Sequence, residues 1–148
     1  MSALRSVVCL LVFLVLPCGA AVCREDGERL VLSASAWELQ LDRAGGAFRS
    51  LRDRTSPVGL VEHEGSDLWV MERRGQTPLE SSGLTFDYRW NPEQQQLLLR
   101  FLGEAAEVEL DCRAEDAGPM WVGRVRMKQG TMLGWTCLLY TSPSPRDS

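Results

Sequence analysis

Hydrophobic residues recur at every second position through most of this chain, and that period leaves little choice of architecture. A strand sends successive side chains to opposite faces, so alternation marks a sheet with one dry and one wet face. Trp37, Leu39 and Leu41 face one way, with Glu38, Gln40 and Asp42 between them. Ala44-Gly45-Gly46 predicts a turn, and Phe48 and Leu51 mark a returning strand that ends in Asp53-Arg54-Thr55-Ser56-Pro57. Short strands are expected over residues 59–62 and 68–73. Further on, Leu84, Phe86, Tyr88 and Trp90 line one face of a strand whose other face carries Thr85, Asp87 and Arg89. Asn91-Pro92-Glu93 turns the chain back over residues 96–102. Gly103-Glu104-Ala105 turns it again, and Val108, Leu110 and Cys112 alternate with Glu107, Glu109 and Asp111. After Asp116-Ala117-Gly118-Pro119 comes a fourth strand over residues 121–127. Four strands at hairpin spacing predict an antiparallel meander, and no stretch holds a sustained helical period. The expected fold is all-β, an antiparallel sandwich, incomplete on its C-terminal side.

Both ends of the chain differ in character from this middle. Residues 1–21 have the three parts of an export signal: Arg5, the ten apolar residues from Val7 to Leu16, and Gly19-Ala20-Ala21 after the helix-breaking Pro17. Ten residues span about 15 Å as helix, half a bilayer core, so no stable membrane span is expected. The expectation is cleavage after Ala21 and a secreted or periplasmic product. At the other end, residues 137–147 read Cys-Leu-Leu-Tyr-Thr-Ser-Pro-Ser-Pro-Arg-Asp. That run resembles the translation of a transposase-type sequencing-library adapter. Residues 137–148 are therefore expected to be a non-native tail that does not pack, and residues 22–136 a truncated sandwich domain.

The charge balance narrows the partners. Twenty acidic residues against sixteen basic ones give a formal net charge of −4, which argues against a nucleic-acid phosphate backbone. Of the cysteines outside both ends, Cys23 and Cys112 remain. In an exported chain they could pair, closing a loop of about 90 residues.

Chemistry-bearing motifs are sparse. The one histidine, His63, is expected in a loop between two short strands. There is no G-x-S-x-G, no glycine-rich phosphate loop and no His-Glu-x-x-His, so no cofactor, metal or catalytic residue is assigned. Glu107, Glu109 and Asp111 share a strand face at steps of about 6.5 Å, a spacing that a pair of glycosidase carboxylates could use. Interspersed Arg100, Arg113 and Arg124 point instead to a solvated face. Trp37, Trp90 and Trp121 fall on dry faces and are expected in the core. Trp69 alternates ambiguously between Leu68 and Val70, and is the candidate for stacking on a glycan.

The segments Leu39-Gln40-Leu41-Asp42, Ala44-Gly45-Gly46, Phe48-Arg49-Ser50-Leu51-Arg52-Asp53, Gly59-Leu60-Val61 and Asp67-Leu68-Trp69-Val70-Met71-Glu72 carry a resemblance. Together with Val108-Glu109-Leu110 and the run from Met120 to Met127, they resemble the start of secreted glycoside hydrolases related to endo-α-N-acetylgalactosaminidases. In that family a galactose-mutarotase-like β-supersandwich precedes a catalytic (β/α)8 barrel. Ser33-Ala34-Ser35 departs from the family, where an Asn-containing opening is usual. The resemblance implies a non-catalytic, cleft-shaping sandwich of a carbohydrate-active enzyme, with the catalytic carboxylates on a domain in cis beyond this chain. The alternatives are a secreted carbohydrate-binding module and an immunoglobulin-like adhesion or structural domain.

Overall fold

The computed structural model describes residues 20–56 and 60–137. Most of the expected signal, residues 1–19, and most of the expected tail, residues 138–148, lie outside the described residues. The chain runs through β1 (Val22–Asp26), β2 (Arg29–Ser33), β3 (Trp37–Asp42), β4 (Phe48–Asp53), β5 (Leu60–Ser66), β6 (Trp69–Arg73) and β7 (Gln76–Glu80). A single 3-10 turn at Ser81–Gly83 leads into β8 (Thr85–Asn91), β9 (Gln96–Leu102), β10 (Ala106–Glu115), β11 (Gly118–Met127) and β12 (Met132–Cys137). The fold is all-β and antiparallel, as the alternation predicts.

Three sheets form two layers. One layer is the four-stranded meander β11-β10-β9-β8. Opposite it lie a five-stranded sheet, β1-β2-β3-β4-β5, and a three-stranded sheet, β12-β6-β7. Contacts to the same dry face of the meander place both of these in the second layer. Trp37 Nε1 on β3 donates to the Glu115 carbonyl on β10 at 2.7 Å. The Tyr88 hydroxyl on β8 donates to Glu25 on β1. From the three-stranded sheet, Trp69 meets Phe101 edge-on, with centroids 5.4 Å apart and planes at 88°. Phe101 in turn packs against Phe86 and lies under the β3–β4 turn at Gly46. The junction between the two sheets is pinned by Ser81, which is buried: its hydroxyl accepts from the Leu68 N–H at 2.9 Å and donates to Asp67.

The dry faces interdigitate into one core. Leu30, Leu32, Leu39, Leu41 and Phe48 from the five-stranded sheet meet Leu97, Leu99, Phe101, Val108, Leu110 and Cys112 from the meander. At about 25 cal/mol per Å² of apolar surface removed from water, this burial supplies the main stabilising term.

Several elements differ from what the sequence predicts. The β1–β2 hairpin is unexpected: Asp26 pairs with Arg29 across a two-residue turn in which Gly27 takes φ +59°, a conformation that favours glycine. Leu30, Val31 and Leu32 are all buried, so β2 does not alternate. β5 runs on to Ser66 because a register shift between Phe48 and Ser50 extends its pairing with β4. His63 therefore lies within a strand, not in a loop. The expected boundary at Thr136 falls inside β12, where Cys137 pairs with Trp69 and is buried. A small apolar thiol fits beside the indole, so the first residue of the expected tail packs with the sheet.

Candidate functional site

Trp69 is in the core. It is 1% exposed, pairs with Cys137 on β12 and packs against Phe101, so it presents no face to a glycan. The ambiguity around Leu68 and Val70 resolves because the chain bends at the Asp67–Leu68 junction, which buries Leu68 and Trp69 in succession. Trp37 and Trp121 are buried as expected, and Trp90 packs partly buried against the same core. Trp135, which the alternation did not single out, lies over Gly123 on β11.

The carboxylates of β10 belong to a cross-strand charge ladder on the wet face of the meander. Glu109 stands opposite Arg100 on β9 and Arg124 on β11, and Arg100 stands opposite Asp87 on β8. The Arg100–Glu109 pair measures 3.5 Å. Glu107 bridges Arg126 at 2.6 Å and Lys128 at 3.0 Å. The hydrogen bond from Lys128, with Arg126 beside it, holds the Glu107 carboxyl below the usual range. Asp111 accepts from the Gln96 amide through one oxygen, while its other oxygen is buried without a partner. A general acid needs a carboxyl kept protonated near neutral pH, and the cations on Glu107 favour its ionised form.

A recess of about 460 Å³ opens at one end of the five-stranded sheet's wet face, lined by Arg24, Ser33, Ser35, Glu38 and Arg54 among others. Glu38 shares the recess with both guanidinium groups. Burial raises its pKa, but hydrogen bonds from Gln40 at 2.8 Å and Ser33 at 3.0 Å, with Arg24 and Arg54 nearby, outweigh this and keep it ionised. Arg24 donates to Ser33 and Arg54 to the Ala34 carbonyl. The recess offers cations, hydroxyls and one carboxylate to a polar ligand, and no aromatic ring lines it. Alternation alone could not reveal it, because Ala34, Ser35 and Arg54 reach it from loops.

No protein-family model, curated protein or solved structure matches the chain. Among the described residues, no cluster of three or more His, Cys, Asp or Glu side chains could hold a metal ion. Nor is any of their helices long and apolar enough to cross a membrane. Cys23 and Cys112 are both thiols, Cys23 half-buried on β1 and Cys112 buried on β10.

Proposed function

We propose that this chain is a non-catalytic β-sandwich module of an exported carbohydrate-active enzyme, with a structural and cleft-shaping role beside a catalytic domain in cis. The observation that supports this reading is the ladder on the meander. Glu107, Glu109 and Asp111 are the carboxylates that alternation aligned as a possible catalytic pair; on this wet face Glu107 and Glu109 are paired with cations and Asp111 accepts from the Gln96 amide. The resemblance to the sandwiches of secreted glycoside hydrolases supplies the enzyme class, and the two-layer all-β architecture is compatible with it. Met120 and Val122 on β11 form an exposed apolar pair at the edge of the meander, and Met132 and Leu133 on β12 form another, each suited to packing against another domain.

The test is to assay the purified chain on aryl-glycosides alongside the uninterrupted gene product. Turnover by the longer protein and none by the chain supports the reading. Turnover by the chain, lost on substituting Glu107, Glu109 or Asp111, would overturn it. A second reading, a secreted carbohydrate-binding module, is favoured by the recess at Glu38. It predicts that Arg54→Ala or Glu38→Gln weakens binding of the chain to a charged or amino sugar.

A further inference from the structure

β1 is the outermost strand of its sheet, held by backbone bonds on one side only, through β2. Ala21, Cys23 and Glu25 alternate on the side of β1 toward the meander, with Ala21 buried, Cys23 half-buried and Glu25 exposed. Cys23 stands opposite Leu32, which is in the core. Across the layers, β10 turns Leu110, Cys112 and Ala114 inward, with Cys112 opposite Leu97 and Trp121. Two cross-layer hydrogen bonds bracket Cys23. On one side the Ala21 N–H donates to the Gln95 side-chain carbonyl, and on the other Tyr88 donates to Glu25. The same Gln95 uses its backbone carbonyl to accept from the Ala114 N–H at 3.0 Å. Cys23 and Cys112 are thus each one same-face step from a residue bonded to Gln95.

Both of those neighbouring residues, Ala21 and Ala114, are small, which allows the layers to approach there. A disulfide needs Cα atoms within about 7 Å, closer than the usual separation of about 10 Å between stacked sheets. Burial pushes the Cys23 thiol up to about 11, and Cys23 is near enough to add to what raises Cys112. Cys137 sits elsewhere: it pairs with Trp69, whose ring neighbour Phe101 stands opposite Val108, two same-face steps along β10 from Cys112.

We infer that Cys23 and Cys112 form a reversible cross-layer disulfide when a small disulfide oxidant, such as oxidised glutathione, is present, and that this bond fastens β1 to the meander. The half-exposed Cys23 thiolate attacks the oxidant's S–S bond, releasing one thiol and leaving a mixed disulfide. The Cys112 thiolate then displaces the second thiol and forms the Cys23–Cys112 bond. The oxidant is reduced to two thiols, which carry off the two protons, and the protein ends two hydrogens lighter. The raised thiols make both steps slow near neutral pH and faster as pH rises. This inference stands apart from the proposed carbohydrate role.

The experiment uses the full chain, reduced and then incubated with oxidised glutathione at mildly alkaline pH. The acid-quenched product is digested without reduction and mapped by mass spectrometry. The expected result is a peptide containing Cys23 joined to one containing Cys112. Its formation raises the melting temperature by at least about 10 °C over the reduced protein, reversibly with a dithiol. Cys23→Ser should abolish the rise and Cys137→Ser should keep it. Recovery of Cys23 and Cys112 as free thiols would overturn the inference, as would Cys23 joined to Cys9, Cys18, Cys137 or glutathione alone. Should a variant fail to fold, the peptide map of the unsubstituted chain decides by itself.

Discussion

Gly123 on β11 sits beneath the Trp135 ring of β12, and a β-carbon built there would stand 2.7 Å from Cζ3 of that ring. The indole is partly buried against the core and would have to shift to admit that atom. Gly123→Ala should therefore cost roughly 1–3 kcal/mol, the usual range for overpacking a filled core. Urea denaturation checks the value, and Trp135→Leu in the same chain should recover part of the loss because the two positions share one contact. Trp69 supplies a second residue-scale prediction. Its ring is fully buried, so Trp69→Ala should cost about 3–5 kcal/mol of stability, as large-to-small changes in a core do. A surface ring used for stacking on a sugar would lose almost no stability, so the same urea measurement separates the two roles.

Strand β11 is the edge of the meander, and its wet face shows Met120 and Val122 about half exposed. An exposed apolar edge invites association with another chain. Val122 stands opposite Asp111, whose one oxygen is buried without a partner. Val122→Lys should place a cation across from that carboxylate, leave stability within about 0.5 kcal/mol and reduce association. Light scattering over a concentration series checks it. The meander was legible in the sequence because each of its strands has one dry and one wet face, so Leu84 to Met127 alternates nearly throughout. β2 was not, because Leu30, Val31 and Leu32 are buried together, and β1 and β7 were not, because they are short and polar edge strands. The core roles of Trp37 and Cys112 could be read from alternation. The burial of Trp69 depends on a chain bend that no period of two encodes, and the recess at Glu38 depends on loops brought together by the turn from β2 to β3 and the end of β4.

At the scale of the whole molecule, ionisable groups bound stability on both sides of neutrality. Hydrogen bonding holds Glu25, Asp53 and Glu107 below their ordinary values, with nearby cations helping at Glu25 and Glu107, and Asp42 and Glu38 follow despite the opposing effect of burial. A depressed carboxyl binds its proton more weakly in the folded chain than in the unfolded one. Its contribution is therefore present above its ordinary value of 4.5 or 3.8 and lost as pH falls through the folded value. Cys23 and Tyr88 behave oppositely. Burial raises Cys23 from 9.0 to about 11 and, with the hydrogen bond to Glu25, raises Tyr88 from 10.0 to about 12. Their contribution is complete below pH 9.0 and lost as pH rises through the folded values. The urea midpoint should be flat between about pH 5 and 9 and fall on either side, and a titration of that midpoint checks it. The division of the second layer also has a kinetic consequence. All pairings in the meander join consecutive strands, whereas the three-stranded sheet needs Met132 to find Arg73, 59 residues earlier (132 − 73). Local pairing nucleates early and distant pairing closes late. In a chevron analysis, Leu99→Ala in β9 should mainly slow refolding, while Trp135→Leu in β12 should mainly hasten unfolding. The protein would then come apart first where β12 leaves β6 in the three-stranded sheet.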